Sequence, residues 1–157
     1  EEARALGQPC KATDFLDHVG HFGHPVIFLA DNPGVMAGPK AERGGILKWG
    51  GKMYRAERRL RNAKIHVTMR KAFGFGSSVM GMNPWDNQAM NIALPGISLG
   101  GVPAIGGDAA AKASKDEAAQ MKEVQSDAWV PADSMAFDKV IDPVDLRAEI
   151  IDVLCRN

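Results

Sequence analysis

Ala12, Phe15, Leu16, Val19 and Phe22 recur at helical spacing, and Gly23-His24-Pro25 stops that helix. The run Val26-Ile27-Phe28-Leu29 then predicts a fully buried strand. A loop from Asp31 to Pro39 follows, and a second helix fits Gly45 to Asn62, burying Ile46, Leu47, Met53, Ala56 and Leu60. The alternating stretch Ile65-His66-Val67-Thr68-Met69 predicts the next strand. A glycine turn, Lys71 to Ser78, leads into a short apolar helix around Val79 to Met82. Further strands are expected at Ala89–Leu94 and Lys139–Asp142. Between them lie a Gly-rich stretch from Gly96 to Gly107 and an Ala/Lys/Glu helix from about Ala109 to Val124. Pro143 opens a last helix through Leu154.

Strand, helix, strand in that order calls for a right-handed crossover between parallel strands. The expected fold class is therefore α/β, with helices packed on a sheet. The 157 residues suit one domain with a sizeable core.

Nineteen Lys and Arg against 19 Asp and Glu leave no net charge, whereas a sequence-independent nucleic-acid binder carries a basic excess. No nucleic acid is expected as partner. The longest apolar run, Pro25 to Ala30, is too short to span a bilayer, and Glu1-Glu2 is unlike a signal-peptide start. The expected location is cytoplasmic, or the mitochondrial matrix in a eukaryote, with no membrane partner. Cys10 and Cys155 lie at opposite ends without a CxxC spacing, so free thiols are expected and no metal site. The start without Met suggests a piece of something larger.

The segment from 65 to 82 carries the most chemical information. A helix that begins at a glycine turn beyond a strand leaves unpaired N–H groups with partial positive charge, which suits an oxyanion. The same glycines equally suit close helix–sheet packing. Gly74-Phe75-Gly76 begins a dinucleotide-type GxGxxG, but Val79 stands at the third position. Ser77 or Ser78 at such a turn is also how a hydrolase exposes a nucleophile, which then needs a His and an acid; His66 fits a half-buried strand position better. His18, His21 and His24 read as a polar helix face. Arg55, Arg58, Arg59, Arg61 and Lys64 read as the outer side of the second helix. No paired carboxylates and no acid stand near the glycine turns, so an acid/base group must come from a substrate, a cofactor or another chain.

Several motifs in order resemble one family. Pro25 to Val35, followed by Gly44-Gly45-Ile46, resembles "P-L-V-x-F-x-D-x-P-G-F … G-G-I-I" of the carboxyltransferase (beta) subunit of biotin-dependent acyl-CoA carboxylases. Gly51-Lys52-Met53 with Lys64-Ile65 is similar to "G-A-K-L … P-K-I-T-V", and Arg70 to Gly74 to "R-K-A-Y-G-G-A". Val140-Ile141-Asp142-Pro143 with Leu146-Arg147 is similar to "V-I-D-P-R-x-T-R". The resemblance covers nearly the whole chain.

It implies a ClpP/crotonase-like spiral of repeated ββα units, with residues 1–157 as the C-terminal, biotin-side half of the subunit and the N-terminal half absent. It also implies transfer of CO2 from carboxybiotin on a carrier protein to the α-carbon of an acyl-CoA. Two backbone N–H groups of the "G-G-A" turn hold the ureido oxygen as the biotin enolate forms; by position these fall on Phe75 and Gly76. Gly74 permits the turn, Gly34, Val35 and Gly38 shape the rim, and Ser77 and Ser78 adjoin it. Implied partners are biotin carboxylase and biotin carrier subunits, an N-terminal half or another subunit that binds CoA, and further copies in a dimer or a trimer of dimers. A decarboxylase subunit of the same family, a serine hydrolase and a non-catalytic assembly partner with Phe75 filling the biotin pocket are the alternatives. Phe75 replaces the middle glycine and Gly76 the alanine of "G-G-A", so a donor at 75 requires that this position have no positive φ.

Overall fold

The computed structural model describes residues 2–83, 87–101 and 128–156, with side chains described from Lys11 onward. Helix α1 (Glu2–Phe22) feeds strand β1 (Val26–Asn32), and a short helix α2 (Pro39–Arg43) precedes α3 (Ile46–Arg59). Strand β2 (Lys64–Phe73) runs directly into α4 (Gly74–Val79). Strands β3 (Met90–Ala93) and β4 (Ser98–Gly100) follow, then α5 (Trp129–Asp133), β5 (Lys139–Val140) and α6 (Leu146–Arg156). The expected helix at 109–124 lies outside the described residues.

The strands form one parallel sheet in the order β1-β2-β3-β5, with β4 also on β2. Strand β2 serves two sets of neighbours. Its first half pairs with β3, Ile65 opposite Met90 through Thr68 opposite Ala93, and its last residues, Lys71 to Phe73, pair with β4. Against β1 the register jumps: Ala30 faces Thr68 but Asn32 faces Ala72, so β2 spends two extra residues where β1 spends none. Met69, Arg70 and Lys71 accordingly turn outward. This irregularity brings the end of β1 alongside the end of β2.

One side of the sheet and its helices α1, α3 and α4 bury Leu16, Val26, Phe28, Met53, Ala56, Leu60 and Val79. On the other, Ile65, Val67 and Ile92 pack with Val153 of α6. β1 alternates instead of being buried throughout: Val26, Phe28 and Ala30 face the core while Ile27 and Leu29 are exposed, as befits the outermost strand of the path. Leu16 is the buried residue of the first helical stripe, and Phe15 and Phe22 lie outside. Leu47 is likewise exposed, and the second helix stops at Arg59 rather than Asn62. The glycine turn itself opens the next helix, five residues earlier than the apolar run around Val79 suggested. Lys64, read as the end of a solvated basic row, is buried because it is the first residue of β2.

Candidate active site

The site is built where β2 becomes α4. Phe73 ends the strand in extended conformation (φ −120°, ψ 134°) and serves as the helix N-cap, and the chain reverses at Gly74 with φ 53°. A β-carbon on Gly74 would stand 2.7 Å from the Gly101 carbonyl oxygen, so both conformation and space call for glycine. With Gly74 as the first helical residue, the N–H groups of Phe75 and Gly76 precede the first turn's acceptors and have no intrahelical partner. Neither makes a turn, loop or cap hydrogen bond to another main-chain group among the described residues.

Phe75 adopts no positive φ, so its replacement of glycine leaves the helical backbone unstrained. Its ring lies away from the turn, against α3: a β-carbon on Gly50 would meet Phe75 Cε1 at 2.7 Å, and the Tyr54 ring centroid is 6.3 Å away. Gly50 is thus the hole into which Phe75 fits.

Gly76 is pressed from the other side. A β-carbon there would come within 2.6 Å of Asn32 Oδ1 and 2.7 Å of Gly34 Cα. Asn32 in turn accepts the Gly34 N–H at 3.3 Å, which folds the Asn32-Pro33-Gly34 corner onto the turn. Gly34, at φ 106°, also leaves the Phe73 carbonyl room. One residue back, Arg70 grips Asp31 at 2.9 Å across the bulged register and holds its carboxyl below the usual carboxylate range through that hydrogen bond.

The structure therefore brings Gly34, Gly74, Phe75 and Gly76 together. Val35, half-buried, follows Gly34 in the same loop; Gly38 stands at the N-cap of α2 with nothing within 4 Å of where a β-carbon would be. Ser77 and Ser78 lie one turn on. The Ser77 hydroxyl donates to the Gly74 carbonyl at 2.7 Å, which closes the turn rather than exposing a nucleophile. His66, expected to be half-buried, is completely buried, with Nδ1 2.9 Å from the Met80 carbonyl and Nε2 2.8 Å from Thr68 Oγ1. Both ring nitrogens are engaged, so His66 is no base for either serine. Burial pushes its pKa down to about 4.

Sequence reasoning missed Asn32, Gly50, the contacts of His66, and Asn83, whose side-chain amide reaches both Glu57 and the Ser78 carbonyl. Only Asn32 had a local signal, an Asx residue ahead of Pro-Gly. No group of three or more His, Cys, Asp or Glu suited to a metal occurs among the described residues. No described helix is long and apolar enough to cross a membrane.

A parallel α/β protein whose candidate site consists of main-chain groups at a strand-to-helix turn is thus defined. Residues 8–154 match the family model of the carboxyl transferase domain, and the chain belongs to that family. The Methylmalonyl-CoA carboxyltransferase 12S subunit of Propionibacterium freudenreichii is 32% identical over 160 residues, covering 92% of this chain and 30% of that one. The biotin-dependent long chain acyl-coenzyme A carboxylase beta4 subunit of Mycobacterium tuberculosis is 29% identical, covering 87% and 28%. The hexameric transcarboxylase 12S crystal structure with hydrolyzed methylmalonyl-coenzyme A superimposes with a TM-score of 0.84 at 30% identity, over 95% of this chain and 29% of that one. The chain spans less than a third of the length of these relatives. The crotonase-like fold implied by the sequence resemblance is the fold these carboxyltransferases share.

Proposed function

We propose that this chain is the C-terminal, biotin-side half of a carboxyltransferase that moves CO2 from carboxybiotin on a carrier protein to the α-carbon of an acyl-CoA. The observation that carries the reading is the disposition of Phe75 and Gly76: two successive N–H groups without main-chain partners among the described residues, at a turn whose shape Gly34, Gly50 and Gly74 dictate. A ureido oxygen accepts two such donors, and a short side chain at 76 is needed for close approach, so the residues present fit that group. Carboxybiotin, when bound, would supply the CO2 and the base. Phe75 and Gly76 hold negative charge on an oxygen placed before them, Gly74 and Gly34 set the direction of the N–H bonds, and the ring of Phe75 locks the helix to α3.

Donors fixed before reaction avoid reorganisation and are worth roughly 10²- to 10³-fold each in rate. The names of the relatives support biotin dependence and acyl-CoA as substrate. Under this reading biotin carboxylase and biotin carrier subunits are partners, CoA is held by an N-terminal half or another subunit, and copies assemble as a dimer or a trimer of dimers. The same site run in reverse is that of a biotin-dependent acyl-CoA decarboxylase.

The test is decarboxylation of malonyl-CoA or methylmalonyl-CoA with free biotin by the full polypeptide that carries this chain. Phe75→Ala removes the ring and keeps the N–H, whereas Phe75→Pro removes both. The reading expects the proline variant to be about 10²-fold slower than the alanine variant. Equal rates in the two, or no biotin dependence in the parent, overturn it.

A further inference from the structure

We propose that His66 and Asn83 are positioning residues for the donor-bearing turn, gripping the far end of α4 through the carbonyls of Met80 and Ser78. The inference rests on the carboxyltransferase reading and adds to it what keeps the two N–H groups aimed.

A helix of six residues does not hold its own direction, because nucleation is unfavourable and only a few internal bonds form. Its last carbonyls also lack helical partners. The N-terminal end of α4 is wedged by Phe75 against Gly50 and Tyr54, and by Gly76 against Gly34. At the C-terminal end the helix tightens, with Met80 N–H to the Ser77 carbonyl and Gly81 N–H to the Ser78 carbonyl, and here side chains from the body of the domain take over.

His66 reaches up from β2. The Met80 carbonyl only accepts, so Nδ1 carries the proton and donates to it at 2.9 Å, while Nε2 accepts from the Thr68 hydroxyl at 2.8 Å. The imidazole is buried and fully satisfied as the neutral form. Asn83 donates from Nδ2 to the Ser78 carbonyl at 2.9 Å and to Glu57 Oε1 at 3.1 Å. Glu57 belongs to α3 and is itself completely buried, so the second grip is anchored in the same helix that receives Phe75. Strand β2 and helix α3 thereby hold α4 at both ends. His66 stands where the motif "P-K-I-T-V" has Thr, as Phe75 stands where "G-G-A" has Gly, and both departures fall on residues that seat α4.

The test uses the full polypeptide and three variants. His66→Leu fills the space without a donor, His66→Asn returns an N–H close to the Nδ1 position, and Asn83→Ala removes the side-chain bond to the Ser78 carbonyl and leaves the Gly81 N–H bond to it in place. For His66→Leu the expectation is a kcat for biotin-dependent decarboxylation about 10-fold lower or worse, with KM for the acyl-CoA within about 2-fold of the parent. His66→Asn should recover to within about 3-fold of the parent. Hydrogen exchange of the peptide spanning residues 73–83 should quicken about 10-fold in His66→Leu and not in His66→Asn, with α6 unchanged in both. Should His66→Leu fail to fold, Asn83→Ala, at a half-buried position, carries the same two measurements with the same expectation. Parent-like kcat and exchange in His66→Leu, or equal impairment in His66→Leu and His66→Asn, overturns the proposal. A parent without biotin-dependent activity removes the functional reading alone, since the exchange measurement still decides whether His66 holds the turn.

Discussion

Gly76 and Gly34, 42 residues apart in sequence, are in such close contact that a β-carbon on Gly76 would stand 2.7 Å from Gly34 Cα. The corner that leaves β1 and the first turn of α4 that leaves β2 are thereby locked together at the place where the candidate donors emerge. Gly76→Ala must push the Asn32-Pro33-Gly34 corner away, at a stability loss of about 1–3 kcal/mol. Thermal unfolding should show the loss, and activity per folded molecule should fall with it. Unchanged melting would mean that this corner and α4 are not in contact.

Phe75 separates the packing of the turn from its chemistry. Phe75→Gly restores the middle glycine of the family motif and retains the N–H, but it empties the space over Gly50 and Tyr54 and adds a flexible residue to a helix. Roughly 2–4 kcal/mol of stability should be lost, as read by denaturant unfolding. Activity per folded molecule should stay well above that of Phe75→Pro. A stabilised Phe75→Gly variant would contradict the seating of the ring against α3.

His66 makes stability depend on pH. Its pKa is about 4 in the folded protein against an ordinary value near 6.5, so the unfolded chain binds the extra proton between those limits. The stabilisation is complete above about pH 6.5 and is lost as pH falls toward 4, with a slope of up to about 1.4 kcal/mol per pH unit from this group. In His66→Asn that part of the pH dependence should vanish. Chemical denaturation of parent and variant from pH 7 to 4 provides the comparison, and parallel curves would show that His66 is not buried as a neutral ring.

Ser77 is a closing residue of the turn. Ser77→Ala removes the hydrogen bond to the Gly74 carbonyl and should lower stability by about 1 kcal/mol while leaving biotin-dependent decarboxylation within a few-fold of the parent. Covalent labelling of Ser77 by an active-site serine probe would instead revive the hydrolase alternative.

The order of elements and the parallel sheet were legible in the sequence because periodicity and Gly/Pro punctuation are local signals. Burial in β1 was not, since Ile27 and Leu29 have the same composition as a core strand and only their place at the sheet's outer position exposes them. The start of α4 was missed for a similar reason: Gly-Phe-Gly reads as a turn, and α3 and the Gly34 corner make it helical by packing. Phe75 and Gly76 were singled out through the family motif, whereas His66 touches the Met80 carbonyl 14 residues on and Asn83 is anchored on Glu57 26 residues back, contacts that no local pattern announces.

The central claim concerns two N–H bonds and one oxygen, and a crystal structure of the full polypeptide with biotin tests it most directly. The account predicts the ureido oxygen about 2.7–3.2 Å from both the Phe75 and the Gly76 nitrogen. Biotin bound with that oxygen facing other groups, or with either N–H turned onto a protein carbonyl, would contradict it.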